Sequence, residues 1–162
     1  MTADTPLEVL IGEILTRRGL TLAAAESCTG GLVSHRLTNV PGSSVYFLGG
    51  IIAYANQAKM DLLGVDERTL ASHGAVSEAA VLEMASGVRR PLGADIGVAT
   101  SGIAGPGGAT PSKPVGLVWI ALSAGDASQA RSAIYPGDRL AVKEQSAQAA
   151  LQLVIEYLTT RD

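Results

Sequence analysis

Residues 20–37 read LTLAAAESCTGGLVSHRL, and this stretch decides the fold. Its first six residues, LTLAAA, form a short apolar run that predicts a buried strand. The pair Gly30-Gly31 then leads into a segment that predicts a helix to about Leu37. A buried strand that passes directly into a helix is typical of an α/β protein.

Helices and strands alternate along the rest of the chain as well. The first helix is predicted from a capping box at Thr5, with Pro6 at its first helical position, to a stop at Gly19. Further strands are predicted at 49–54, 96–99, 115–122 and 130–135, the last two joined by a turn at 123–129. Further helices are predicted at 56–63 with Asn56 as N-cap, after Asp66, at 77–90 with Ser77 as N-cap, and at 139–159.

This order of elements predicts the fold class. Early alternation followed by a late hairpin indicates a three-layer α/β/α sandwich with a mixed sheet of about five strands. We expect residues 1–162 to form one domain, since 162 residues can bury one sizeable core but not two.

Composition excludes several classes of protein. The formal net charge is −3 and 47% of residues are hydrophobic, which argues against disorder and against a nucleic-acid-binding protein. No apolar run is long enough to span a bilayer, and the N-terminus lacks the features of a signal peptide, so a cytoplasmic protein without membrane partners is expected. One cysteine and two histidines argue against a disulfide and against a structural zinc site.

The segment Glu26–Gly31, ESCTGG, is the first candidate for chemistry. Ser27 stands at a junction between strand and helix, where free backbone N–H groups can stabilise an oxyanion. A nucleophile therefore suits this position. The alternative is that Ser27 or Thr29 only caps the helix while the glycines allow close packing, and caps of this kind are common.

The second candidate is Tyr54–Lys59, YANQAK, at the end of a predicted strand. A serine needs a base to accept its proton, and a lysine can serve when burial lowers its pKa. Lys59 would lie one turn into the following helix, with Tyr54 placed to relay a proton or orient the pair. The alternative is that Lys59 is an ordinary solvated lysine.

The third candidate is the glycine-rich loop that begins at Ser101 and continues to Gly116. Backbone N–H groups of such a loop can hold an anion such as phosphate, although the pattern is neither a P-loop nor a dinucleotide fingerprint. The alternative is a plain flexible connection. The segment 73–78 is interpreted as a turn and a helix cap, and Cys28 as a buried inert thiol.

Together these segments resemble one family, the CinA carboxy-terminal domain, whose stand-alone members are nicotinamide-nucleotide amidases. The resemblance rests on AAAESCTGGLVSHRLTNVPGSS, GGIIAYANQAKMDLLGV, HGAVSEAAVLEMASGVR and SGIAGPGGATPSKPVGLVWIAL, which occur in the family's order over most of residues 20–122. It implies an amidohydrolase that converts nicotinamide mononucleotide to nicotinic acid mononucleotide and ammonia without a cofactor or metal. It also implies a homo-oligomer, a dimer or larger.

The resemblance also assigns roles to residues of this chain. It implies Ser27 as nucleophile, Lys59 as its base and Tyr54 as a partner of the pair. Backbone N–H groups near residues 29–31 would hold the oxyanion, and the glycine-rich loop with Arg139 would hold the ribose phosphate. The substrate-binding residues expected in this way are Thr29, Gly30, Gly31, Ser101, Gly102, Gly105, Gly107 and Arg139.

Two positions depart from the family's pattern. Ser101 stands where the family has threonine, which keeps the hydroxyl, and Lys143 stands where arginine is expected. Lysine does not replace the bidentate grip of arginine on phosphate. The main alternative function is a nucleotide-sensing or protein-interaction module related to competence and DNA damage. A pyrophosphatase is a third reading, ranked lower because clustered acidic metal ligands are lacking.

Overall fold

The computed structural model describes residues 5–125 and 127–160. The strands are β1 Leu22–Glu26, β2 Phe47–Ile52, β3 Ile96–Gly102, β4 Leu117–Ala124 and β5 Ala127–Ile134. The helices are α1 Leu7–Arg18, α2 Leu32–Thr38, α3 Asn56–Leu63, α4 Glu67–His73, α5 Glu78–Leu92 and α6 Arg139–Thr159, and a 3-10 turn spans Ser43–Val45.

The five strands form one mixed sheet in the order β2-β1-β3-β4-β5. Strand β1 lies between β2 and β3 and is parallel to both. The hairpin β4–β5 is antiparallel and joins the sheet through β3. The carboxyl ends of β1, β2 and β3 therefore lie at one edge of the sheet. The predicted mixed five-stranded sheet is confirmed.

Helices cover both faces of the sheet, which confirms the α/β/α sandwich. One apolar core lies between the sheet and helices α1, α2 and α6. A second core lies on the opposite face, where side chains of α3 and α5 pack on small residues of β1 and β3. The approach of α5 is close because a Cβ at Gly97 would collide with the carbonyl oxygen of Ala85. Alanine and glycine in the central strands thus allow the second helical layer to lie directly on the sheet.

The helix caps agree with the sequence in part. Asp66 and Ser77 cap α4 and α5 through their side chains, as predicted. Asn56 does not cap α3, because the N-cap residue is Ala55 and no side chain accepts a hydrogen bond there. The capping box at Thr5 is also wrong, since Pro6 is itself the N-cap and its extended backbone presents its carbonyl to the first turn of α1.

The strand boundaries differ where pairing extends or shifts a strand. Strand β3 continues to Gly102 because that residue pairs with Val118 across the antiparallel ladder. Strand β5 begins at Ala127, which pairs with Ala124, so the connection is shorter than the predicted turn. The consequence for function is that Ser101 and Gly102 lie on the sheet, at the edge where the parallel strands end.

Candidate active site

Three predicted site segments meet at the carboxyl edge of the parallel strands. Ser27 directly follows β1, Tyr54 follows β2 by two residues, and Ser101 lies near the end of β3. In open α/β sheets this edge is where ligands bind. Helix α3 begins just after Tyr54 and brings Lys59 back toward Ser27.

Ser27 and Lys59 form a buried hydrogen-bonded pair. Lys59 Nζ lies 3.1 Å from Ser27 Oγ, and the Lys59 residue is only 1% exposed. The same nitrogen contacts two backbone carbonyl oxygens, that of Ala53 at 2.9 Å and that of Tyr54 at 3.0 Å. The interpretation of Lys59 as a solvated surface lysine is therefore wrong.

The surroundings of Lys59 make its ammonium form less favourable than that of an exposed lysine. Burial lowers the pKa of the Lys59 ammonium below its ordinary value. Among the described residues no carboxylate pairs with Lys59 to offset this effect. Two N–H bonds of the neutral amine can point at the two carbonyl oxygens, which leaves its lone pair for the proton of Ser27. The pair can therefore act as nucleophile and general base.

Tyr54 and Arg139 close the site from the solvent side. Arg139 Nη2 donates to the Tyr54 hydroxyl at 2.8 Å, and Arg139 Nη1 donates to the carbonyl of Gly105 at 2.7 Å. The phenol accepts this bond and keeps its own proton to donate. One guanidinium thereby links the end of β2, the glycine-rich loop and the start of α6.

A cavity of about 240 Å³ connects these groups. It is lined by Ser27, Cys28, Tyr54, Asn56, Lys59, Ala75, Val76, Ser101, Gly102, Ala104 and Arg139. All three predicted catalytic residues thus share one cavity with Ser101, Gly102 and Arg139. Arg139 places a cationic side chain in its lining, which carries no carboxylate in the described part of the chain, so the cavity favours an anionic ligand.

The remaining predicted binding residues lie elsewhere. Thr29, Gly30 and Gly31 line a neighbouring groove of about 330 Å³ with Lys143 of α6. Gly105 contacts Arg139 through its carbonyl but does not line the cavity, and Gly107 is exposed.

Two of the backbone N–H groups expected to hold an oxyanion are already paired. Gly30 N–H donates to the carbonyl of Ser27 at 3.1 Å, and Gly31 N–H donates to the carboxylate of Glu26 at 3.2 Å. In the described residues no such bond is made by the N–H groups of Cys28 and Thr29 to another residue. The available donors therefore lie one to two residues earlier than expected.

The segment before α5 forms one wall of the cavity, although the sequence analysis interpreted residues 73–78 only as a turn and a helix cap. Ser101 Oγ donates to the carbonyl of Ala75 at 2.8 Å, which fixes Ala75 and Val76 over the site. Asn56 also lines the cavity, and its spacing of three residues from Lys59 on one helix could have indicated this. Nothing in the local sequence of Ala75 or Val76 signals their position.

Cys28 is a buried neighbour of Ser27 with an unreactive thiol. It is 5% exposed, and burial raises the pKa of its thiol to about 11. A thiol with that pKa is almost entirely protonated at neutral pH, so it is a poor nucleophile. Ser27 is the reactive side chain that the geometry supports.

Two further observations concern metal binding and membrane spans. The described residues contain no group of three or more His, Cys, Asp or Glu side chains arranged to hold a metal ion. Within the same part of the chain, every helix is too short or too polar to cross a bilayer.

Comparison with known proteins identifies the family of the chain. The CinA C-terminal domain family matches residues 4–158. A CinA-like protein of Chloroherpeton thalassium is 54% identical over 161 residues, which is 97% of this chain and 38% of that protein. The chain therefore spans less than half the length of this curated relative.

Solved structures give the same assignment. The crystal structure of competence damage-inducible protein A from Klebsiella pneumoniae has a TM-score of 0.93 and 35% identity, covering 96% of this chain and 97% of that chain. The competence/damage inducible protein CihA from Agrobacterium tumefaciens has a TM-score of 0.89 and 38% identity, covering 98% and 99% of the two chains. The chain belongs to the CinA C-terminal domain family.

Proposed function

We propose that this chain is an amidohydrolase that releases ammonia from nicotinamide mononucleotide through a serine/lysine mechanism. The observation that carries the proposal is the contact of 3.1 Å between Ser27 Oγ and the buried Nζ of Lys59. A lysine buried without a carboxylate partner is costly for a protein, and perturbed pKa values of this kind cluster at functional sites.

In the first step Lys59 accepts the proton of Ser27 while Ser27 Oγ attacks the carboxamide carbon of the substrate. The tetrahedral oxyanion is stabilised by the N–H groups of Cys28 and Thr29, which donate to no other residue in the described part of the chain. The C–N bond then breaks, and the protonated Lys59 gives its proton to the departing nitrogen, directly or through the Tyr54 hydroxyl, so that ammonia leaves.

Water completes the reaction. Lys59, neutral again, accepts a proton from a water molecule that attacks the ester formed on Ser27. The ester bond breaks, the carboxylic acid product leaves, and Ser27 Oγ recovers its proton. All groups in this cycle are amino-acid side chains or backbone N–H groups, and ammonia and nicotinic acid mononucleotide are the products.

The charge of the cavity supports a phosphate-bearing substrate. Arg139 spends two N–H groups on Gly105 and Tyr54, and its guanidinium has five to offer. The remaining donors suit a phosphate oxygen. Lys143 extends the cationic surface into the neighbouring groove, where its ammonium lies 3.6 Å from the position that a Cβ on Gly30 would take.

The test measures ammonia release from nicotinamide mononucleotide and, in parallel, nucleotide binding by calorimetry. We expect wild-type protein to release ammonia, and Ser27→Ala to bind nucleotide but release none. Ser128→Ala, an exposed serine on β5, is the matched control and should behave as wild type. Binding by wild type without ammonia release would contradict the proposal and favour a nucleotide-sensing module.

A further inference from the structure

A buried carboxylate directly precedes the proposed nucleophile. Glu26 is the last residue of β1 and is 1% exposed. No cation among the described residues forms an ion pair with it. Its two oxygens instead accept five hydrogen bonds from the segment that follows Ser27.

These bonds divide into a helix side and a loop side. On the helix side the N–H groups of Val33 and Ser34 donate at 2.9 and 3.0 Å, and Ser34 Oγ donates at 2.7 Å. On the loop side Thr29 Oγ1 donates at 2.6 Å and Gly31 N–H at 3.2 Å. The helix side satisfies N–H groups that an α-helix leaves unpaired in its first turn. The loop side holds the residues next to Ser27.

The hydroxyl of Thr29 extends this network to the neighbouring strand. A carboxylate only accepts hydrogen bonds, so Thr29 donates its single hydroxyl proton to Glu26. The contact of 2.8 Å between Thr29 Oγ1 and Thr100 Oγ1 must then be donated by Thr100. Thr100 also accepts from the N–H of Ser27 through its carbonyl at 3.0 Å.

The loop is therefore held on both sides of Cys28. Ser27 is fixed by the backbone of Thr100, and Thr29 by the hydroxyl of Thr100 together with the Glu26 carboxylate. Between these two attachments lie the N–H groups of Cys28 and Thr29, which donate to no other residue in the described part of the chain. Donors held in a fixed direction by surrounding bonds are what an oxyanion site requires.

We propose that Thr29 is a positioning residue, whose side-chain hydroxyl links Thr100 to Glu26 and thereby fixes the backbone donors that hold the oxyanion on the carbonyl attacked by Ser27. This inference rests on the proposed serine mechanism. It assigns the Thr29 hydroxyl a role in orienting the loop, whereas the sequence indicated contact with substrate. The network also uses the first turn of α2 for Glu26, so that turn is not available to the oxyanion.

Substitutions can separate the two sides of the network. Thr29→Val keeps the shape of the side chain and removes the hydroxyl on the loop side. Thr29→Ser restores the hydroxyl. Ser34→Ala removes a bond to the same carboxylate on the helix side, away from the nucleophile, and is the matched control. Thr100→Val removes the other hydroxyl of the link and serves as an independent test if Thr29→Val does not fold.

Two measurements allow the role of Thr29 to be tested separately from the identity of the substrate. The first is kcat and KM for ammonia release from nicotinamide mononucleotide. The second is the rate at which a fluorophosphonate probe labels Ser27. In the labelling reaction Ser27 Oγ forms a bond to phosphorus, fluoride leaves and the serine proton passes to Lys59. Labelling needs the nucleophile and the oxyanion donors but no recognition of a nucleotide.

We expect Thr29→Val to lower both kcat and the labelling rate by about 10- to 100-fold, less than complete loss of an oxyanion donor, with KM within about threefold of wild type. Thr29→Ser should return both to within about threefold of wild type, and Thr100→Val should lower both in the same direction. Ser34→Ala should lower the thermal midpoint of unfolding and leave kcat within about twofold of wild type.

Three results would overturn the proposal. The first is a labelling rate that is unchanged in Thr29→Val and Thr100→Val. The second is a fall in kcat for Ser34→Ala as large as that for Thr29→Val. The third is a Thr29→Val protein in which only KM changes. Wild type that is labelled at Ser27 but releases no ammonia would refute the proposed substrate, and the labelling series would still decide the role of Thr29. Wild type that is neither labelled nor active would refute both.

Discussion

The two halves of the sheet differ in what they carry. The parallel half, β2-β1-β3, ends in Ser27, Tyr54 and Ser101, and these residues share one cavity. None of the described residues of the antiparallel hairpin β4–β5 lines this cavity, and most of β5 is exposed. Parallel strands bring the ends of separate chain segments together at one edge, whereas a hairpin returns the chain to the opposite edge. The candidate site therefore lies at the edge that the parallel topology creates.

The largest loss of activity is expected from a substitution of Lys59, which lies at the edge where the parallel strands end. Lys59→Met keeps an unbranched side chain in the buried position but removes the base, so kcat for ammonia release should fall about 1000-fold or more. The control is Arg131→Met on β5, which removes a cation from the hairpin. A Lys59→Met protein with more than a tenth of wild-type kcat would contradict the role of Lys59.

A second expectation concerns the thiol beside the nucleophile. Since burial raises the pKa of Cys28 to about 11, its alkylation by iodoacetamide at pH 8 should be about 100-fold slower than that of a free thiol with an ordinary pKa near 8.5. Intact-protein mass spectrometry follows the modification, with urea-unfolded protein as the reference. Rapid alkylation of the native protein would show that the site is more open than the structure indicates.

Arg139 should affect binding more than chemistry. Its side chain lines the cavity, so Arg139→Ala should raise KM for nicotinamide mononucleotide about 10- to 100-fold, with a smaller change in kcat. Arg139→Lys should recover only part of this loss because lysine lacks the planar fork of donors. A loss confined to kcat would instead place Arg139 in the chemical step.

Lys59 should also make stability depend on pH. Its pKa is lowered in the folded state, so the unfolded chain binds more protons between the folded pKa and the ordinary lysine value of about 10.4. The free energy of unfolding should therefore rise with pH across that window. Subtracting the urea-unfolding series of Lys59→Met isolates this contribution, and a difference that falls with pH would contradict the burial of a neutral amine.

The smallest effect should come from the hairpin. Arg131 forms an exposed ion pair of 2.7 Å with Glu156 of α6, and such pairs contribute about 1 kcal/mol or less to the free energy of unfolding. Arg131→Met should therefore leave kcat and KM unchanged and shift the unfolding midpoint only slightly. A clear loss of activity would show that the hairpin takes part in the site after all.

The fold could be predicted well because its signals are local. Apolar runs mark the strands, and Gly19 ends α1 where the sequence placed the stop. The errors arise where pairing decides the boundary, as in the extension of β3 to Gly102 opposite Val118. A sequence shows the pattern of one segment but not the partner that lengthens it.

The candidate site was predictable to the extent that resemblance fixed it. Ser27, Lys59 and Tyr54 occur in characteristic segments, and the structure brings them together. The buried hydrogen bonds of Glu26 were missed because they depend on how the chain turns back between β1 and α2. No spacing of carboxylate and hydroxyl residues in a sequence predicts such a hydrogen-bond network.

The central claim is that Ser27 reacts because a neutral Lys59 accepts its proton. The most direct test is kcat/KM for ammonia release from nicotinamide mononucleotide between pH 5 and pH 10, measured for wild type and Ser27→Ala. If Lys59 is the base, the wild-type rate should rise with pH to a plateau, with its midpoint below the ordinary lysine pKa of about 10.4, and Ser27→Ala should be inactive. Activity in Ser27→Ala, or a wild-type rate independent of pH, would contradict this claim.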